Sequence, residues 1–205
     1  MKFPPLEPSK KKIDWKSTAA ETLAEVLMAL TVLAVGSAGA LTLVSQSVRA
    51  NSEAEERIVA YNLAREGVET VRNIRDTNWL RFPGDRENCW DVMPDTIDPT
   101  VCPTTATHIT SNDYIVYPEI SDTDKLFAWN ITTTSDYEMK GTLIDGQIFV
   151  THEIAPGDPE VDTGYDRVIT IVNDGAGTME VTSTVTWTSR TGDHIVKFAD
   201  ELTNY

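Results

Sequence analysis

From Val26 to Val48 the chain reads VLMALTVLAVGSAGALTLVSQSV, 23 residues without a charge. At 1.5 Å rise per helical residue this is roughly 35 Å, long enough to cross the hydrocarbon core of a bilayer. From Ala54 the pattern changes. Ile58, Tyr61, Ala64, Val68, Val71 and Ile74 recur at spacings of three and four among glutamates and arginines, which predicts an amphipathic helix with one buried stripe. No proline lies between Pro8 and Pro83, so a single helix is expected from residue 22 to about 77, closed off by Pro83-Gly84. Opposite charges at helical spacing, Arg65 with Glu69 and Arg72 with Asp76, predict surface pairs worth a few tenths of a kcal/mol each. Trp79 is expected to plug the helix end into the following domain.

Residues 83–113 are rich in Pro, Asp, Asn and Thr and read as a loop with short irregular elements. After it the period shortens to two. Strands are expected at Tyr114–Ile120, Leu126–Thr133, Gly141–Ile144 and Gln147–Ile154, with Asp145-Gly146 as a hairpin turn. An antiparallel meander follows at Arg167–Val172, Met179–Thr188 and His194–Phe198, joined by Asn173–Gly177 and Ser189–Gly192. In its middle run Val181, Val185 and Trp187 alternate with Thr182, Thr184, Thr186 and Thr188, the signature of a sheet with one buried face. The helix stripe has that face to pack on, giving an α+β fold with a long N-terminal helix laid on an antiparallel sheet.

Charge adds direction to this layout. The net charge of −15 is unevenly spread: +3 over residues 1–20, −2 over 21–82 and −16 over 83–205. Lys10, Lys11, Lys12 and Lys16 precede the apolar run, and clustered lysines before a first span hold that side in the cytoplasm. The predicted topology is a single pass through the cytoplasmic membrane, N-terminus inside and the C-terminal domain outside. So acidic a distal domain is a poor ligand for nucleic acid, whose phosphates call for Lys and Arg. Two further readings of the N-terminus compete: a secretory signal cut after Ala38-Gly39-Ala40, and a plain membrane anchor. Neither uses Glu25, a carboxylate at the edge of the apolar run that is costly in hydrocarbon unless it is paired or held at the interface.

The run Glu21-Thr22-Leu23-Ala24-Glu25-Val26-Leu27-Met28-Ala29-Leu30 resembles the start of mature type IV pilins and pseudopilins. Asn62–Trp79 and the tail Val181–Tyr205 resemble a subgroup of the same family, through an Ala-x-Glu-Gly helix, an Arg-Asn-x-Arg-Asp-x-Asn-Trp ending and a Val-Thr-Trp strand. The resemblance implies a leader of residues 1–20 removed by a prepilin peptidase between Ala20 and Glu21, with methylation of the new amino group. Ala20 stands where the family usually has glycine, and Glu21 where it usually has an apolar residue. Glu25 would then meet the N-terminal ammonium of a neighbouring subunit and set axial register. The implied organisation is a filament-core helix at 21–50, its amphipathic continuation at 51–82, the cysteine-bearing loop at 83–113 and a β-rich head at 114–205. Implied partners are homologous pilin subunits, the peptidase, an inner-membrane assembly platform and membrane lipid, with a surface filament as the product. The alternative is a single-pass anchored extracytoplasmic binding domain that does not polymerise.

Little points to chemistry. His108, His152 and His194 fall in separate segments, and the chain has neither a phosphate-binding glycine loop nor a Gly-x-Ser-x-Gly elbow, so no catalytic function is expected. Cys89 and Cys102 are the only cysteines, and outside the cytoplasm a disulfide between them would contribute about 3 kcal/mol. No cofactor is expected. The candidate cation ligands, for calcium, are Asp122 with Asp124 and a loop carrying Asp158, Glu160, Asp162 and Asp166. Their spacing matches no defined calcium motif, and a solvated acidic loop is the other reading.

Overall fold

The structure, a computed structural model, describes residues 15–94, 107–120, 127–144, 147–152 and 160–204. Helix α1 covers Trp15–Arg81, 67 residues. It starts before residue 22, because Ser17-Thr18-Ala19-Ala20 offers nothing that breaks a helix, and ends four residues beyond the expected 77. Its end is set by Pro83, which disfavours the helical conformation at the residue before it. The final turn closes with the Phe82 amide donating to the Asn78 carbonyl at 2.9 Å. By contact the chain divides into two compact units, Met1–Ser52 and Glu53–Tyr205.

In the first unit every side chain described, from Thr22 to Ser52, is exposed. The hydroxyls inside the apolar run turn back onto their own helix: Thr31 donates to the Met28 carbonyl at 2.8 Å, and Thr42 and Ser45 to those of Ala38 and Leu41 at 2.9 Å. Back-bonding of this kind leaves fewer polar hydrogens seeking water, which suits a segment that is long and apolar enough to cross a membrane.

The second unit is the C-terminal part of α1 laid on a seven-stranded antiparallel sheet, so the α+β class is as expected. A one-turn helix α2 (Arg86–Cys89) follows α1, and the strands are β1 (Asn112–Ile120), β2 (Phe127–Thr132), β3 (Glu138–Ile144), β4 (Gln147–Thr151), β5 (Glu160–Asn173), β6 (Thr178–Ser189) and β7 (Gly192–Thr203). Strands β5, β6 and β7 form the meander. The other edge of β5 is shared: β3 pairs with it from Glu160 to Asp166, and β1 from Ile169 to Ile171. Strand β4 lies beyond β3, and β2 beyond β1. The pairing of Ile144 with Gln147 is the register a two-residue turn imposes, although Asp145 and Gly146 themselves lie outside the described residues.

Several strands run further than their local sequence suggests. Strand β5 begins at Glu160 rather than Arg167 and absorbs the acidic run expected to be a loop. Strand β3 begins at Glu138 to pair with it. Between them the register shifts, with Gly164 at φ +69° and the Asp162 carboxylate accepting the Gly164 amide at 2.7 Å. Asp and Gly are poor strand formers, and here a bulge and a cross-strand partner override that preference. Strand β7 spans all twelve residues opposite β6, whereas β4 stops at Thr151, three residues short of the expected Ile154. The β5–β6 turn is as expected: the Asp174 carboxylate accepts the amides of Ala176 and Thr178 at 2.8 and 3.0 Å.

The helix buries a somewhat different stripe from the expected one. Ala64, Val68, Val71 and Ile74 are buried, but Ile58 is 62% exposed and Tyr61 47%. Ala60, Leu63 and Gly67 take the inward places instead. The cause is close approach. A Cβ built on Gly67 would stand 2.6 Å from Ser183 Oγ and 3.1 Å from Ser183 Cβ on β6, so small residues of α1 lie against the sheet, while Ile58 is left outside and Tyr61 lies at the margin with its ring edge-on to Phe198 of β7 at 5.9 Å. Val68, Val71 and Ile74 then meet Ile169, Ile171 and Val181 in the main core, while Ala60, Leu63 and Ala64 meet Met139, Val185 and Trp187 in a second cluster.

Gly67→Ala should therefore lower the unfolding free energy by about 1–3 kcal/mol, the usual cost of overpacking a tight site. Gly84→Ala, at a position with nothing within 4 Å of an added Cβ, should change it by less than about 0.5 kcal/mol. Urea unfolding of the full chain in detergent micelles, followed by tryptophan fluorescence, measures both.

Candidate assembly site and the helix–sheet clamp

The residues singled out in the sequence fall in three places. Ala20 and Glu21 lie within α1, and their side chains are outside the described residues. Glu25 is exposed on α1 and shares a face with Met28, Ala29, Val32 and Leu33, at the one-turn and two-turn spacings of a helix. It is the one charged residue from Thr22 to Val48. Among the described residues of its own unit nothing buries this apolar surface. Leu27, Val32, Leu41 and Val44, all exposed, need lipid or other protein to leave water. A carboxylate at the start of such a surface is stable once a cation or interfacial water reaches it.

Cys89 is fully buried beside Phe82 and Val92, while Cys102 lies outside the described residues. Asp122, Asp124 and Asp158 lie outside them too. The other three acidic candidates lie on strand β5 and not in a loop. Glu160 pairs with Lys140 at 3.3 Å, Asp162 caps the bulge and Asp166 stands opposite Glu138. Among the described residues no three His, Cys, Asp or Glu side chains converge as a metal site would require.

The strongest polar geometry lies where helix meets sheet, and sequence reading passed over it. Arg167, 1% exposed, sits on β5 at the fork between β3 and β1. Its Nη1 donates to the Leu63 carbonyl at 3.1 Å and to Glu66 Oε1 at 3.3 Å, both on α1. Its Nη2 donates to the Val116 carbonyl of β1 at 3.2 Å. His152, just past β4, places Nδ1 2.9 Å from that same carbonyl and Nε2 3.1 Å from the carbonyl of Arg167 itself. Burial lowers the His152 pKa to about 4, and the Arg167 charge acts in the same direction. Burial likewise presses on the guanidinium, against the pull of Glu66. An alternating strand pattern does not reveal that an inward position holds a charge; among the described residues, Arg167 lies where β5 pairs with neither β3 nor β1 in the ladder.

Further along, Arg72 pairs with Glu69 at 2.6 Å and with Asp200 of β7, not with Asp76, which Arg75 takes at 2.8 Å. Nothing pairs Arg65 with Glu69 among the described residues. Arg75 also donates to the Thr203 carbonyl at 3.3 Å. At the helix end Trp79 packs against the main core as expected, and Asn78 joins it as a polar plug. Asn78 is buried and its Nδ2 donates to the Trp90 and Val92 carbonyls at 3.2 and 2.7 Å. Trp79 is half-buried, with Arg75 and Arg86 against its ring. The signal for Asn78 was available, since it lies one helical turn beyond Ile74 on the buried stripe. His108 pairs with Asp91 at 2.8 Å and His194 stacks on Trp187 at 5.1 Å, so the three histidines have three separate settings.

No protein-family model, curated protein or solved structure matches the chain.

Arg167→Ala should lower stability by about 3–5 kcal/mol, the range for breaking a buried charged network from one side. Arg167→Met, which refills the volume without a charge, should cost less than half as much. The same urea titration separates the two variants, and equal losses would mean that the guanidinium's hydrogen bonds rather than its volume hold the site.

Proposed function

We propose that this chain is the precursor of a structural subunit, major or minor, of a type IV pilus-like filament or pseudopilus. In this reading the Lys-rich leader stays in the cytoplasm, prepilin peptidase cuts between Ala20 and Glu21, and the new amino group is methylated. The mature protein waits in the inner membrane with its acidic domain outside, until an assembly platform adds it to a filament of homologous subunits. Glu25 sets register by meeting the N-terminal ammonium of a neighbour. The protein is a building block and not an enzyme, and direct nucleic-acid binding is not part of its role. A disulfide joins Cys89 and Cys102; it is supported by the burial of Cys89 and by the lack of a free thiol among the described cysteines.

The observation that carries the proposal is the division of labour along α1. From Thr22 to Ser52 the helix is fully exposed, apolar and marked by one carboxylate at its start, while from Ala60 to Asn78 it carries the buried stripe that packs on an antiparallel sheet. A membrane anchor needs the first feature but has no use for Glu25. A filament subunit uses both.

The test is the intact mass and N-terminal peptide of the protein recovered from membranes of cells that hold the processing machinery. A start at Glu21 carrying one methyl group is expected. A start after Ala40, or an uncut chain from Met1, would replace the proposal with an exported or simply anchored domain. Glu25→Gln should insert normally yet lose at least tenfold in filament incorporation, measured as the ratio of sheared filament to membrane-bound protein.

A further inference from the structure

The fork in the sheet has a consequence for how the second unit responds to acid. At Arg167 the strand β5 has left β3 and not yet joined β1. The Arg167 amide is met by the Tyr137 carbonyl at 2.8 Å, but its carbonyl is met by a side chain, the His152 imidazole. The Val116 carbonyl of β1 also faces this gap and is reached only by Arg167 Nη2 and His152 Nδ1 among the contacts described. Among the described residues one ring therefore stands where no strand pairs, with a backbone carbonyl at each nitrogen.

A neutral imidazole carries one N–H and can donate to one of the two carbonyls. An imidazolium donates to both, but it brings a second positive charge to within 3.4 Å of Arg167 Nη2 in a buried site. The charged groups around the ring come from three directions. Arg167 lies on β5; Glu66 on α1 is occupied with Arg167 and 40% exposed; Asp136, in the connection between β2 and β3, attracts the protonated ring only as a lesser influence. The backbone carbonyls favour protonation, while burial and Arg167 oppose it more strongly.

We propose that His152 and Arg167 form an acid-operated latch: protonation of His152 sets two cations against each other at the fork and loosens the junction of α1, β1 and β5. The latch rests on the geometry of the second unit alone and stands whether or not the chain assembles into filaments. The direction follows from the histidine's lowered pKa in the folded state, about 4, against about 6.5 in an unfolded chain. Between these values the unfolded state holds more protons, so stability is fully present above about pH 6.5 and is lost as pH falls toward 4. One proton linked in this way raises the unfolding constant by up to about tenfold per pH unit, and about 300-fold over the whole window.

The experiment uses the full chain in detergent micelles and has two readouts. Histidine NMR of the native protein should show one imidazole that stays neutral down to about pH 5 and whose signal vanishes in His152→Gln. Urea unfolding from pH 7 to pH 5 should show the unfolding constant rising by more than tenfold in the native chain and by less than threefold in His152→Gln, whose amide still offers a donor to the Arg167 carbonyl. A His152 resonance titrating near pH 6.5 would overturn the latch. So would a pH slope that is absent from the native chain or survives undiminished in the variant. Should His152→Gln not fold, the NMR titration together with the slope of the native chain decides the question by the same criteria.

Discussion

Strand β5 needs hydrogen-bond partners along fourteen residues, and on one edge no single strand supplies them. Two hairpins divide the edge between them and leave a gap at Arg167. Unpaired backbone groups in a buried position cost on the order of 1–3 kcal/mol each, so the gap has to be filled. The guanidinium of Arg167 and the ring of His152 fill it, reaching β1, β5 and α1 together. A charge buried this deeply is stable only because carbonyls and the partly exposed Glu66 surround it. Removing any one partner therefore affects elements that are distant in sequence.

Close approach of helix and sheet is the second condition. Gly67 over Ser183 brings the α1 backbone near enough for its Leu63 carbonyl to receive a hydrogen bond from β5. The same approach decides which way α1 faces, turning Ala60, Leu63 and Ala64 inward and leaving Ile58 outside and Tyr61 at the margin against Phe198. Beyond the crossing, Arg72 and Arg75 reach the last strand through Asp200 and the Thr203 carbonyl. Asn78 binds the carbonyls of the segment after α2. From Leu63 to Asn78, then, the helix carries a polar contact to the rest of the unit at almost every turn, alongside its apolar stripe.

The first unit follows a different logic. Its residues from Thr22 to Ser52 make no core of their own, and their hydroxyls are satisfied within the helix. Such a surface suits an environment without water, and the proposed role supplies two in succession, the bilayer and the interior of a filament. The acidic character of residues 83–205 fits an exterior that faces solvent.

Much of this was legible in the chain itself. The charge-free run, the long helix, its stop before Pro83, the α+β layout and the meander follow from periodicities and punctuation, which are local properties of neighbouring residues. Glu25 stands out for the same reason, as a lone charge in an apolar stretch. What the sequence left undecided is long-range. Whether Glu160–Asp166 is loop or strand depends on β3 lying alongside. Whether Ile58 or Ala60 faces inward depends on how closely Gly67 can approach Ser183. Arg167 and His152 are fifteen residues apart and unremarkable alone; they become a site because the sheet forks between them. Hydrophobic period and turn chemistry act over a few residues and can be read in order, whereas burial of a charge and the filling of a strand gap are set by partners that only the folded chain brings together.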